Sequence, residues 1–75
     1  MRTKIGTSWQ QLTNGQNYGI VSAEGRIMMY IGATAPGAND AGIPYIDEKI
    51  QAAPPAQVWI KSGEQTPIDA VLFNY

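Results

Sequence analysis

The sequence predicts a small all-β protein, an antiparallel β-sandwich or barrel of about six strands with a long loop rich in alanine, glycine and proline in the middle. Two observations predict this fold. Turn-forming residues recur roughly every eight to twelve residues, the spacing typical of sandwiches and barrels. The segments between the turns are short and extended in character, and the one possible helical segment is a single turn long. With 75 residues, the chain is expected to form one domain, 1–75.

The first three predicted strands cover residues 7–12, 18–23 and 26–31. Asn14-Gly15 separates the first two and is a strong hairpin signal, because both residue types accept positive φ. Glu24-Gly25 provides a tight turn into the third strand. We therefore expect these strands to pair in sequence order as a β-meander.

The second half begins with residues 32–42, which consist mostly of Gly, Ala, Pro, Asn and Asp and are predicted to form a surface loop. Residues 43–46 form a short extended segment that Pro44 confines to a sheet edge. Residues 47–53 are compatible with one helical turn, stopped by Pro54-Pro55. The last two strands are predicted at 57–61 and 67–73, joined by a hairpin turn at 62–66.

Three strands, 26–31, 57–61 and 67–73, are apolar on both faces, whereas a half-buried strand alternates apolar and polar residues. The residues predicted to pack in the core are Trp9, Ile20, Ile27, Met29, Trp59, Ile68 and Leu72. The residues predicted to lie at an interface are Met28, Tyr30, Pro36, Pro54, Pro55, Val71 and Phe73. Two alternatives remain open, since single apolar side chains are often exposed and a tightly curved barrel would hide more of them.

The composition argues against most kinds of site chemistry. Cysteine and histidine are both absent, which removes disulfides, thiol chemistry, a structural zinc site and the usual base for a nucleophilic serine. Asp47-Glu48 is the one adjacent pair of carboxylates, and neighbouring residues tend to point apart. We predict no catalytic residue, no cofactor and no metal, and expect that the protein is not an enzyme.

Two weaker patterns involve residues in or near the long loop. Asn39, Asp40 and Asp47 could offer oxygens to Ca²⁺, but the EF-hand spacing is missing, and turn closure by the first two is the favoured interpretation. The spacing of Gly32, Gly37 and Gly42 does not form a phosphate loop, because no Lys-Ser/Thr follows.

Partners are constrained by charge and length. Five basic and six acidic residues give a net charge of -1, so no basic stripe is available for nucleic acid. The N-terminus has a positive start without an apolar core, and the longest apolar run, 27–31, is too short for a bilayer, so we expect synthesis in the cytoplasm and no membrane contact. A chain this small without disulfide or metal is expected to gain stability by association.

The order of features resembles that of a group of very short virion proteins from tailed bacteriophages. The shared features are a Trp in the first strand, Asn-Gly and Glu-Gly turns, a Pro-containing Ala/Gly loop ending near Asp40-Ala41-Gly42, and the closing phrase 58–63, Val-Trp-Ile-Lys-Ser-Gly. The sequence departs from that layout at Met28-Met29 and Pro54-Pro55. The resemblance implies a β-sandwich subunit, often trimeric, with packing roles for Trp9 and Trp59.

Together with these observations, the resemblance implies a non-catalytic structural subunit of a bacteriophage virion, a capsid decoration (cement) or minor head protein made in the bacterial host cytoplasm. Its expected partners are copies of itself, as a trimer, and the major capsid protein or another virion subunit. The alternative is a tail- or fibre-associated module that binds carbohydrate or a receptor, because seven aromatic residues would suffice for stacking on a sugar. Aromatic residues buried in packing would favour the first function, and two or more presented together at a rim would favour the second.

Overall fold

The computed structural model describes residues 2–37 and 40–74 of the chain. Two antiparallel four-stranded sheets make up this part, ordered β1-β8-β3-β6 (sheet A) and β2-β7-β4-β5 (sheet B). The strands are β1 Arg2–Ile5, β2 Gln10–Asn14, β3 Gly19–Ala23, β4 Arg26–Ile31, β5 Ile43–Ile46, β6 Lys49–Ala52, β7 Gln57–Ser62 and β8 Ile68–Asn74. The predicted all-β sandwich is confirmed, with eight strands where about six were expected.

The core lies between the two sheets and is built from alternate residues of each strand, as expected for two sheets that pack face to face. Its members are aliphatic: Ile5, Leu12, Val21, Ala23, Ile27, Met29, Ile50, Ala52, Val58, Ile60, Ile68 and Ala70. Of the predicted core set, Ile27, Met29 and Ile68 lie here, and Leu72 packs against it. Ile20, Trp9 and Trp59 are only partly buried. Ile20 and Trp59 alternate with buried neighbours and so occupy outward positions.

The helical turn that the sequence allows at 47–53 does not form, because residues 49–52 form strand β6. Ile50 and Ala52 are buried while Lys49 and Gln51 are exposed, which is the two-residue period of a strand with one face on the core. The strand pairs with β3 at one edge of sheet A. A second strand that sequence patterns did not indicate, β1, pairs with β8 at the opposite edge.

The predicted β-meander is also wrong, because β2 and β4 lie in sheet B and β3 lies in sheet A. A two-residue Asn-Gly hairpin needs positive φ at both positions. Gly15 has φ 89°, but Asp47 is the single non-glycine residue with positive φ in the described part of the chain. The Asn14-Gly15 turn therefore carries the chain from one sheet to the other.

The turns at Glu24-Gly25 and at 62–66 cross between the sheets in the same way. Gly25 has φ 112°, and both of its backbone polar groups form hydrogen bonds with Asp47. The Gly25 amide donates to Asp47 Oδ1 at 2.8 Å. The Asp47 amide donates to the Gly25 carbonyl at 3.1 Å. The buried Ser62 hydroxyl donates to the Thr66 carbonyl at 2.7 Å. These hydrogen bonds therefore stabilise turns that connect the two sheets, and not hairpin turns within one sheet.

In the described part of the chain, β4 and β5 are the one pair of consecutive strands that bond directly, and the 32–42 loop connects them. Strand β5 lies at an edge of sheet B, the position that Pro44 predicted. The described residues contain no helix that is long and apolar enough to span a membrane.

Candidate functional site

The outer surface of sheet B carries the largest side chains of the protein. Val58 and Ile60 of β7 are buried, so Trp59 and Lys61, which alternate with them, face away from the core. On β4 the same alternation turns Met28 and Tyr30 outward. Tyr30 is the cross-strand partner of Trp59, and Met28 that of Lys61. We call Met28, Tyr30, Trp59 and Lys61, together with Trp9, the aromatic face.

Trp9 lies just before β2 and its side chain reaches across the aromatic face. Its ring meets the Tyr30 ring edge-on, with centroids 6.1 Å apart and an interplanar angle of 62°. The Lys61 Nζ lies 4.8 Å from the Trp9 ring centroid, within the range of a cation–π interaction. All three aromatic residues are partly buried. Strand pairing thus brings together aromatic residues that are up to 50 positions apart in the sequence.

Both tryptophans bind the 32–42 loop through their indole nitrogens. The Nε1 of Trp59 donates to the Gly32 carbonyl at 3.0 Å, and the Nε1 of Trp9 donates to the Gly37 carbonyl at 3.2 Å. The Asp40 carboxylate closes the outer part of the loop by accepting from the Gly37 amide at 2.7 Å, in line with the turn-closing role expected for it. Asn39, which was expected to act with it, lies outside the described residues.

The outer surface of sheet A carries a smaller apolar cluster. Phe73 is the cross-strand partner of Ile20, and Val71 lies two residues earlier on β8. Phe73 is 53% exposed. We call these three residues the apolar face; they include two of the predicted interface residues.

A surface ion pair lies next to the apolar face. The Lys4 ammonium donates to Asp69 Oδ1 at 2.9 Å. This hydrogen bond, and the attraction of the Lys4 charge, lower the pKa of the Asp69 carboxyl below its ordinary value. Both side chains are largely exposed, so the pair is a surface feature of the kind that contributes little to stability.

The remaining predicted interface residues lie in loops. Pro36 belongs to the loop beside Trp9, where it lines a groove with Thr7, Ser8, Ala35 and Lys61. Pro54 and Pro55 form an exposed turn between β6 and β7. The Pro55 carbonyl lies against Gly15, so that a Cβ at Gly15 would be 2.7 Å from its oxygen. The seven interface predictions are therefore spread over three surfaces.

Lys61 is the site residue that sequence reasoning missed. The sequence could have indicated Lys61, because it lies two residues after Trp59 in the same strand, and this spacing places both side chains on one face of the sheet. Within residues 2–37 and 40–74, no three Asp, Glu, His or Cys side chains come close enough to hold a metal ion. Comparisons with protein-family models, curated proteins and solved structures give no match to this chain.

Proposed function

We propose that this chain is a non-catalytic structural subunit of a bacteriophage virion, a capsid decoration or minor head protein that associates with copies of itself and with the particle. One observation carries the proposal: the outward surface of each sheet carries apolar side chains, beside its polar ones, at positions where a free-standing sandwich carries polar residues. Ile20, Val71 and Phe73 occupy such positions on sheet A. The phage assignment rests on the resemblance in sequence layout.

The shape of the molecule suits association through a sheet surface. Its extents are 30 × 27 × 16 Å, and two sheets stacked about 10 Å apart account for the shortest of these. A flat surface of 30 × 27 Å is on the order of 800 Å², the area that each partner contributes to an interface of standard size. One face of the sandwich is therefore large enough to form a specific contact.

The apolar face would supply part of the energy of that contact. Complete burial of a Phe side chain contributes about 1.5–3 kcal/mol. Since Phe73 is 53% exposed, covering it completely would contribute about 1 kcal/mol per protomer. Ile20 and Val71 are partly buried already and would contribute less. A trimer would bury this apolar surface on each of its three protomers. The summed free energy is significant beside the small net stability of a domain of this size.

Light scattering of the purified protein tests the proposal, first alone at micromolar concentrations and then with candidate capsid shells. We expect a trimer mass, and a shift toward monomer in Phe73→Thr. Ile46→Thr is the matched control, because Ile46 is also well exposed, at 61%, but lies on strand β5 at the edge of sheet B. A monomer at all concentrations that also fails to bind shells would refute the proposal. Dissociation by Ile46→Thr alone would move the contact to the edge of sheet B.

A further inference from the structure

The groove beside the aromatic face has the composition of a small-molecule site. Thr7, Ser8, Trp9, Ala35, Pro36 and Lys61 line it. Its volume of about 260 Å³ lies just below the roughly 300–1,000 Å³ of typical small-molecule sites, so it suits a ligand of one or two rings. The groove combines an aromatic wall, a proline ring, two hydroxyl groups and one cation, and it lies on the sheet opposite to the apolar face.

The charge in this groove lacks an acidic partner among the residues that the structure describes. The Lys61 ammonium forms no ion pair with any described residue, since the Lys4–Asp69 contact on the other sheet is the one salt bridge among them. Asp40, in the loop that borders the groove, already accepts a hydrogen bond from the Gly37 amide. Strands β2, β4 and β7 contribute no carboxylate to the surface of sheet B. The site is therefore complementary to an anion.

We propose that this groove binds an anionic glycan, with a sugar ring stacked on Trp9 and its carboxylate paired with Lys61. The Lys61 ammonium, which lies 4.8 Å from the Trp9 ring centroid in the free protein, would turn from the ring toward the carboxylate. The C–H groups of a pyranose are apolar and pack on the electron-rich face of an indole. A carboxylate and an ammonium form a charge-assisted hydrogen bond. Thr7 and Ser8 supply hydroxyls that can donate to or accept from the sugar hydroxyls. Each element of the groove therefore matches a group that an acidic sugar carries.

The geometry of Trp9 prepares it for this role. Its indole nitrogen donates to the Gly37 carbonyl at 3.2 Å and its ring contacts Tyr30 edge-on. A ring held in this way loses little conformational freedom when a ligand stacks on it, which favours binding. A nucleic acid is a poorer match, because a phosphate backbone requires several cations along its path. Among the described residues that line the groove, Lys61 is the one cation.

Titration with an oligogalacturonate of four residues tests the inference, with its fully methyl-esterified form as the neutral counterpart. Binding is followed by isothermal titration calorimetry and by tryptophan fluorescence. We expect the acidic oligosaccharide to bind more tightly than the ester, by about two- to fivefold for one exposed ion pair, and the preference to shrink as salt is added. Equal binding of both forms, or no binding of either at millimolar concentration, would overturn the inference.

Charge variants locate the binding to the groove. Lys61→Met keeps the length of the side chain and should abolish the preference for the acid, and Lys61→Arg should restore it. Lys49→Met is the matched control, because it removes the same charge from an exposed position on sheet A. Equal losses of this preference in Lys61→Met and Lys49→Met would mean unspecific charge attraction and would overturn the site.

Loss of self-association in Lys61→Met would assign this surface to a second copy of the chain, which would also contradict the inference. Phe73→Thr should leave sugar binding unchanged, so this test and that of assembly can fail separately.

Discussion

Replacing Gly42 by alanine probes whether the 32–42 loop and Trp9 are seated against sheet B. A Cβ at this position would lie 2.6 Å from the Met29 carbonyl oxygen, 2.8 Å from Cη2 of Trp9 and 3.1 Å from the Met29 amide nitrogen. Two of these atoms belong to the backbone of β4, which is paired on both sides, so the chain must move at the loop. We expect Gly42→Ala to separate the loop from the strand and to displace the Trp9 ring.

The magnitude follows from two opposing effects. Forcing extra atoms into a filled space costs about 1–3 kcal/mol. Loss of glycine freedom in the unfolded chain offsets this by about 0.4–1 kcal/mol. The net expectation is a fall of about 1–2 kcal/mol in the free energy of unfolding, or roughly 4–16 °C in Tm for a domain of this size.

Gly6→Ala is the matched control for that variant. A Cβ at Gly6 meets nothing within 4 Å, and the backbone there is outside the left-handed region, so only the effect on the unfolded chain remains. This substitution should leave the protein unchanged or stabilise it by up to about 1 kcal/mol. Thermal unfolding by circular dichroism measures both variants, and tryptophan emission reports the displacement of Trp9. Equal Tm values and equal emission in the two variants would refute the seating of the loop.

Sequence patterns predicted the parts of the fold that depend on local alternation. Ile27 and Met29 lie in the core because they alternate with outward residues along one strand, and Pro44 marked an edge strand because proline cannot donate to a second neighbour. Strand β6 was missed because Pro54-Pro55 suggested the end of a helical turn, although Ile50 and Ala52 have strand periodicity. The long loop was predicted from its composition alone.

The pairing of the strands could not be read from the sequence, because a turn signal marks where the chain turns and not which sheet it enters next. Asn14-Gly15 and Glu24-Gly25 are both strong turns, yet each leads across the sandwich. The aromatic face depends on this crossing. Trp59 and Tyr30 become neighbours because β4 pairs with β7, and no local pattern contains that information.

The space between the two sheets explains why Trp59 faces outward. Strand β7 offers Val58 and Ile60 on one side and Trp59 on the other, and both sides are apolar. Two sheets about 10 Å apart are filled by interdigitating aliphatic side chains, and here Val58 and Ile60 take the inner side. The indole instead lies outside, where its N–H reaches the Gly32 carbonyl. Hydrophobicity alone could not separate these two arrangements.

The remaining predictions concern stability. Ile60→Ala should lower the free energy of unfolding by about 2–5 kcal/mol, because Ile60 is completely buried. Ile46→Ala makes the same change at an exposed edge, so it should change the free energy of unfolding, measured by urea titration, by no more than about 0.5 kcal/mol. Trp59→Phe removes the indole hydrogen bond to the long loop. We therefore expect the free energy of unfolding to fall by about 0.5–1.5 kcal/mol and hydrogen exchange in that loop to become faster. Unchanged exchange would contradict the role of this bond. The last prediction concerns pH. Lys4 lowers the pKa of Asp69 in the folded protein, so the pair contributes stability above the ordinary Asp pKa and loses it as the pH falls through the lowered value. Lys4→Gln should therefore be less stable than the parent protein at about pH 6, and the difference should close as the pH falls through the lowered pKa of Asp69 and its carboxyl becomes protonated. A difference that persists unchanged at the lower pH would mean that Lys4 acts through packing on β1 and not through the charge of Asp69.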